Sequence, residues 1–444
     1  MKQKHPFFDT VCSLAIPVAL QSMLQSSFSI VDQIMIGQLG SVSIAGVGLA
    51  GKFSSILSVV ISAIGAVAGI MISQYLGQKK DQAVRRSFCT NLWFALGIAA
   101  AFSLACIIIP EKIMGLYTED SATCLAASEY LQVIAGTFLP MAGATLVSTY
   151  FRCIEKAKLP LYASIVSALL NTILNYIFIF GKFGFPAMGA KGAAIATVCA
   201  QLANLLLMLL MLFSNFIPKE NIQNDLERSK FDWKQYGAML MPVLICEVAW
   251  SLGENVYAAI YGHIGTEASA AMTLINPVQG LMTGALCGLS QATGVLIGKK
   301  LGNREYEEAY EDSKKLILYG TVGSVILSIL VIFASPLYVH IYQVEESVKL
   351  LTRQILLAYA CVAPFKVLNM ILGGGIIRSG GKTKYVMAID MLGTWGLGVP
   401  LGLLSAFWLN LSIPYVYFIL SLEECVRFLI SMVVFKKKTW MQSL

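Results

Sequence analysis

Apolar runs of about twenty residues recur along the whole chain, separated by short stretches rich in charged and turn-forming residues. Each run matches the length of a helix crossing the ~30 Å hydrocarbon core of a bilayer, and runs this long predict helices rather than barrel strands. Twelve spans are expected, near 11–36, 50–75, 88–110, 125–150, 159–181, 189–214, 236–261, 274–298, 314–334, 346–372, 383–407 and 412–435. The fold class expected is an all-α membrane protein with twelve transmembrane helices.

The pattern also repeats. Shifted by 225 positions, PVALQSMLQSSFSIVDQIMIGQLG from Pro17 meets PVLICEVAWSLGENVYAAIYGHIG from Pro242, so that Gly37 meets Gly262 and Gly40 meets Gly265. Leu76-Gly77 meets Leu301-Gly302, and at a shift of 226 Arg152, Lys156 and Lys158 meet Arg378, Lys382 and Lys384. Two halves of six helices keep one orientation in the membrane, so the lobes are expected to be related by a pseudo-twofold along the membrane normal, as in transporters. The division expected is an N-lobe over 1–215, a mixed-charge cytoplasmic linker over 216–235 and a C-lobe over 236–444. Within the connecting stretch, Phe231, Trp233 and Tyr236 could form an interfacial segment.

Basic residues fall almost entirely in alternate connections. Of 32 Lys and Arg, 24 lie on the side of the N-terminus and six on the other, with Lys366 and Arg427 inside spans. By the positive-inside rule both termini are expected in the cytoplasm, and the net charge of +7 reflects topology, with no nucleic-acid partner implied.

Composition agrees with this picture. The chain is 57% hydrophobic and 13% charged, too poor in polar residues to coat soluble domains. Its start, MKQKHPFFD, leads into a segment too long and too polar for a cleaved signal, so a retained first helix is expected. Ten scattered cysteines without CxxC or Cys/His clusters predict neither disulfides nor metal thiolates. No nucleotide-binding loop, HExxH motif or catalytic triad order appears, and only three histidines exist. The protein is therefore not expected to be an enzyme or to need a cofactor, and its energy source should be an ion gradient.

Polar residues inside spans carry the candidate chemistry, because a charge in the bilayer is costly and by default marks an ion or substrate path. On the first helix Gln21, Gln25, Ser29 and Asp32 share one face at spacings of four, four and three. A structural hydrogen-bond stripe is the alternative for that face. On the seventh, Glu247 and Glu254 lie two turns apart; carboxylates in a low-dielectric cavity suit proton coupling, or could hold Na⁺ or an organic cation. Asp390 in the eleventh helix has a salt bridge to Lys384 or Lys366 as its alternative. Lys366 in the tenth is expected to pair with a carboxylate of the second half. Glu423 and Arg427, four apart in the last helix, are expected to satisfy one another. The fifth helix offers Asn171 and Asn175, the sixth Thr197, Gln201 and Asn204.

With VDQIMIGQLG, the linker, the twelve runs and the second copy in place, the chain resembles the multidrug and toxic compound extrusion (MATE) family, in its NorM/DinF-like bacterial branch, over nearly its full length. The resemblance implies a V of two lobes and a secondary antiporter. Such a protein exports cationic amphipathic drugs or toxic compounds across the bacterial cytoplasmic membrane in exchange for H⁺ or Na⁺. In the family's N-lobe a first-helix Asp works with a fifth-helix Asn-x-x-x-Asp and a sixth-helix Thr. Asp32, Asn171 and Thr197 match, but Asn175 replaces the second acid, leaving one N-lobe carboxylate. The implied Na⁺ site would comprise Asp32, Asn171, Asn175 and Thr197, with Gln21 and Gln25 on the same path. The C-lobe counterpart would draw on Glu247 or Glu254, with Asp390 and Lys366 nearby. A monomer is expected. The alternative is a lipid-linked saccharide flippase of the same superfamily, which should line its cavity with bases to hold pyrophosphate. Here carboxylates outnumber mid-span bases.

Overall fold

The structure, a computed structural model, describes residues 7–215, 232–340 and 345–444. Among these the chain is helical, with no strand. Twelve long helices follow in order: α1 (Phe7–Ile36), α2 (Ser41–Gly77), α3 (Asp81–Ile108), α4 (Ser121–Cys153), α5 (Lys158–Phe180), α6 (Gly189–Asn215), α7 (Trp233–Ile264), α8 (Thr266–Gly302), α9 (Tyr306–His340), α10 (Glu346–Ile377), α11 (Thr383–Trp408) and α12 (Ile413–Lys436). By length and composition eleven can cross a bilayer. α12 has 24 residues and stands apart by carrying Glu423, Glu424 and Arg427 in its middle. The expected linker falls mostly outside the described residues. Trp233 and Tyr236, expected as interfacial, belong to the first turn of α7, which Asp232 caps by accepting from the Lys234 and Gln235 amides at 2.9 and 3.0 Å.

Most helix edges lie within a few residues of expectation. α3 and α9 begin seven and eight residues early, and α2 and α8 nine and eight. In α2 and α8, a run of small residues (SVSIAGVGLAG, TEASAAMTLIN) continues the helix, since Ala and Ser seldom break one. The break before each is a glycine outside the helical region, Gly40 at φ +90° and Gly265 at φ +153°. The repeat therefore extends to its punctuation.

Two compact units result. The N-unit comprises Leu20–Ile72 and Lys80–Phe231, and the C-unit Met1–Ala19, Ser73–Lys79 and Asp232–Leu444. The boundary between units thus runs through α1 and α2. Helices in lipid gain little from hydrophobic association and rely on close packing of small residues. In the N-unit, a Cβ on Gly46 would lie 2.9 Å from the Ala127 backbone nitrogen, and one on Gly143 2.8 Å from the Leu205 side chain. In the C-unit a Cβ on Gly77 would strike the carbonyl oxygen of Lys299, and one on Gly302 that of Gln74. These pairs are related by the same shift of 225, so the two copies of one helix end meet each other reciprocally. Three stretches depart from α-helical winding: Met370–Ile377 in α10 and Leu392–Gly398 and Leu404–Trp408 in α11 are π-helical. Such widened turns recur at functional sites, and the second lies against one of the clusters described next.

Candidate functional site

Each unit holds a polar cluster built from the candidate residues. In the N-unit, α5 turns Ser164, Ser167, Asn171 and Asn175 inward at spacings of three, four and four, one buried polar stripe on an otherwise apolar helix. α1 meets this stripe in a fixed register. Gln21 Nε2 donates to Ser164 Oγ at 2.8 Å, and eleven residues further along both helices Asn175 Nδ2 donates to Asp32 Oδ1 at 2.7 Å. The Asn171 amide lies beside the same carboxylate. With its nitrogen towards Asp32 it donates to Oδ1 at 2.9 Å and to Oδ2 at 3.2 Å, and its oxygen accepts from the Thr197 hydroxyl at 3.3 Å. The opposite orientation would set an amide oxygen against two carboxylate oxygens, so donor balance selects the first.

Asp32 is half-buried, and among the described residues no Lys, Arg or His lies within 4.0 Å of it. Neutral groups alone hold its charge. Asn175 Oδ1 is left without a partner although Asn175 is only 1% exposed. When Asp32 is ionised it accepts from the two amides; when it is protonated it must donate, and a turned Asn175 amide offers the acceptor. The oxygens of Asp32, Asn171, Asn175 and Thr197 are those available to a Na⁺ ion. Tyr130 on α4 is close enough to feel the Asp32 charge. Gln25 and Ser29 are exposed, and among the described residues no hydrogen bond ties them, Gln201 or Asn204 to the cluster.

The C-unit cluster is larger and ionic. Arg427 on α12 crosses to α11, where it pairs with Asp390, and its other nitrogen lies 3.4 Å from Glu424 Oε2. Gly393 makes this crossing possible, since a Cβ there would strike the Arg427 side chain. Asn369 donates to Glu424 Oε2 at 2.8 Å, and the Cys246 thiol to Asp390 Oδ2 at 2.7 Å. Glu247 lies 3.5 Å from Arg378. Beyond this network opens a cavity of about 300 Å³, lined among others by Glu254, Glu423, Glu424, Lys366, Tyr257 and Tyr417.

Three expectations need correction. Asp390 pairs with Arg427, and with neither Lys384 nor Lys366. Arg427 takes Asp390 and Glu424 as partners in place of Glu423: side chains three and four apart are equally within reach, and the passage over Gly393 decides. Lys366 forms no ion pair within 4.0 Å among the described residues; it lies in the cavity under the influence of Glu424 and Glu254 without touching either. The structure separates the two α7 acids, with Glu254 on the cavity and Glu247 on Arg378. Ser164, Tyr130 and the tyrosine walls were missed. Ser164 stands on the Asn171 stripe, and Tyr257 and Tyr261 follow Glu254 by three and seven residues, so their faces were readable.

A family model, MatE, matches residues 17–177 and 242–404. The chain belongs to the MatE family. The two matched stretches begin 225 residues apart, the shift at which the sequence repeats. MATE proteins are transporters, and this is a multi-pass membrane transporter of that family. It is 23% identical over 435 residues to the uncharacterized transporter YisQ of Bacillus subtilis (strain 168), covering 97% of this chain and 94% of the relative. It is 26% identical over 419 residues to a probable multidrug resistance protein NorM of Neisseria meningitidis serogroup B, covering 90% and 88%. Among solved structures, the Vibrio cholerae MATE transporter VcmN matches at a TM-score of 0.88 and 16% identity over 98% of each chain, which shows the twelve-helix, two-lobe fold.

Proposed function

We propose that this MATE transporter is a secondary antiporter of the bacterial cytoplasmic membrane, with both termini in the cytoplasm. It exports cationic amphipathic compounds in exchange for H⁺ or Na⁺, with Asp32 as the coupling residue. The observation that carries this reading is a carboxylate on a helix long and apolar enough to cross a bilayer, held only by amides, Asn175 at 2.7 Å and Asn171 at 2.9 Å. An ionised carboxylate within such a span calls for a positive partner. With no basic side chain in reach among the described residues, a proton, a Na⁺ ion or a cationic substrate would supply it, and competition among them is antiport. A ligand moves such an equilibrium only by its differential affinity for the two states. Here the difference lies in whether the α5 amides face Asp32 with donors or with an acceptor. The relatives described as multidrug resistance proteins support export of drug-like compounds.

A lipid-linked saccharide flippase is not favoured, because the N-unit cluster holds a carboxylate and no base among the described residues, and carboxylates outnumber bases along the C-unit cavity, where pyrophosphate needs bases. The test is efflux of a fluorescent cation from everted vesicles under imposed H⁺ and Na⁺ gradients, applied separately. One gradient should drive efflux in the wild type, and Asp32→Asn should reduce it to background. Wild-type rates in the variant, or indifference to both gradients, would sink the reading.

A further inference from the structure

Residues 437–444 make contacts that transport at Asp32 does not use. α12 ends at Lys436, and the chain turns back at Lys438, whose backbone is left-handed at φ +56°. That conformation is strained for a residue other than glycine and persists where the surroundings hold it. Here Lys438 Nζ lies 3.1 Å from Glu307 Oε1 and 4.5 Å from the centre of the Tyr310 ring. Past the turn Trp440 is fully buried, stacked on Phe435 with ring centroids 5.8 Å apart, and its Nε1 donates to the Phe435 carbonyl at 3.1 Å. Gly380 lets this segment lie close, since a Cβ there would strike the Trp440 carbonyl oxygen. A buried tryptophan with its N–H satisfied is a strong anchor for a short segment.

The seat of the segment is the end of α2, where Gln74 and Gln78 stand one helical turn apart. The fully buried Gln74 amide meets main chain on every side. Its Nε2 donates to the carbonyls of Ser379 at 2.6 Å and Gln442 at 3.3 Å, and its Oε1 accepts from the Leu444 amide at 2.7 Å. Gln78 Nε2 donates to the Leu444 carbonyl at 2.9 Å and to Ser443 Oγ at 3.1 Å. The repeat shows that the scaffold does not require this seat. At the shift of 225 Gln74 meets Lys299, which offers no acceptor, and at 226 Trp440 meets Ser214, exposed on α6, which runs straight on to Asn215.

α2 is shared between the units, and its Ser73–Lys79 piece, which belongs to the C-unit, is the piece that the tail grips. Alternating access moves one repeat against the other, and an element shared by both must bend or let go at the boundary. We propose that residues 437–444 are a detachable clasp, which holds the end of α2 in the C-unit while seated on Gln74 and Gln78 and restrains the transport cycle. Its hinge is built to open. Glu307 and Lys438 are exposed, and a pair of that kind contributes little and is weakened by salt. The inference rests on the export reading and adds a restraint to it.

Its test compares the full chain with a chain ending at Lys436, using fluorescein-labelled KKTWMQSL as probe and anisotropy in detergent as readout. The shortened chain should bind the peptide about tenfold more tightly than the full chain, whose seat is filled most of the time. Gln74→Leu in the shortened chain should remove that binding. In everted vesicles, whose cytoplasmic face is outward, the shortened chain should transport a fluorescent cation about threefold faster, and added peptide should restore the wild-type rate. Misfolding cannot produce that gain and its reversal. Lys438→Ala in the full chain loosens only the hinge and should give a smaller rise. Peptide binding is measured apart from transport, so the clasp can fail while the antiport reading stands, and the reverse. Equal peptide affinity in the two chains, or transport no faster than wild type in both the shortened chain and Lys438→Ala, overturns the proposal.

Discussion

The two units hold their acids by opposite means. In the N-unit a single carboxylate, Asp32, is held by neutral amides on α5. In the C-unit acids and bases interlock around Arg427 and Asn369, and a cavity opens where the balance fails. The repeat makes this difference instructive. At the shift of 225, Tyr257 stands where Asp32 does. At the shift of 226, which holds from Arg152 onward, Glu423 stands where Thr197 does. The first helix of the N-unit motif carries the acid and its sixth a hydroxyl; in the C-unit the hydroxyl is on α7 and the acid on α12. One scaffold therefore carries an acid and a hydroxyl at equivalent places with their helices exchanged, and the neighbours decide whether the acid faces amides or tyrosines.

The contrast can be broken most forcefully at Arg427. Arg427→Met leaves Asp390 and Glu424 buried without their base, and should cost about 3–5 kcal/mol of stability, read as an earlier thermal transition of the purified protein in detergent. Asp32→Asn, which removes a charge no base was balancing, should shift that transition far less. Equal losses in the two variants would erase the distinction between an ionic and a neutral cluster.

Gly398→Ala sharpens the comparison next. Its Cβ would meet both the Tyr257 hydroxyl and Glu423, and overpacking of this kind costs about 1–3 kcal/mol. The thermal transition should fall while Asp32-dependent efflux survives; an unchanged transition would mean that Tyr257 and Glu423 have room to give way. Thr197→Val is the mildest change. It removes a 3.3 Å hydrogen bond to Asn171, worth about 0.5–1.5 kcal/mol, and should lower the efflux rate only a few-fold, because Asn175 still holds Asp32. A complete loss of efflux would mean that Thr197 contacts the coupling ion directly.

Much of this was legible in the chain. The N-unit cluster could be read because its members sit at helical spacings on three helices, with no local partner to divert them. The C-unit cluster could not. Glu423 and Arg427 satisfy a local rule at four residues apart, which hides that Arg427 reaches across to Asp390 on another helix. Lys366 follows the opposite course: a base among acids promises an ion pair, yet the width of the cavity holds it away from them.

The sequence by itself determined twelve helices, the repeat and the place of Asp32 on an apolar helix. Apolar runs of about twenty residues satisfy their own backbone in lipid as helices, and a shift of 225 residues needs no coordinates to detect. Only the tertiary structure decided which acid each base serves, which amide faces Asp32 and where space remains. Those outcomes depend on a missing Cβ at Gly393 or Gly398 and on distances of 3 to 4 Å between helices, which no spacing along one helix encodes.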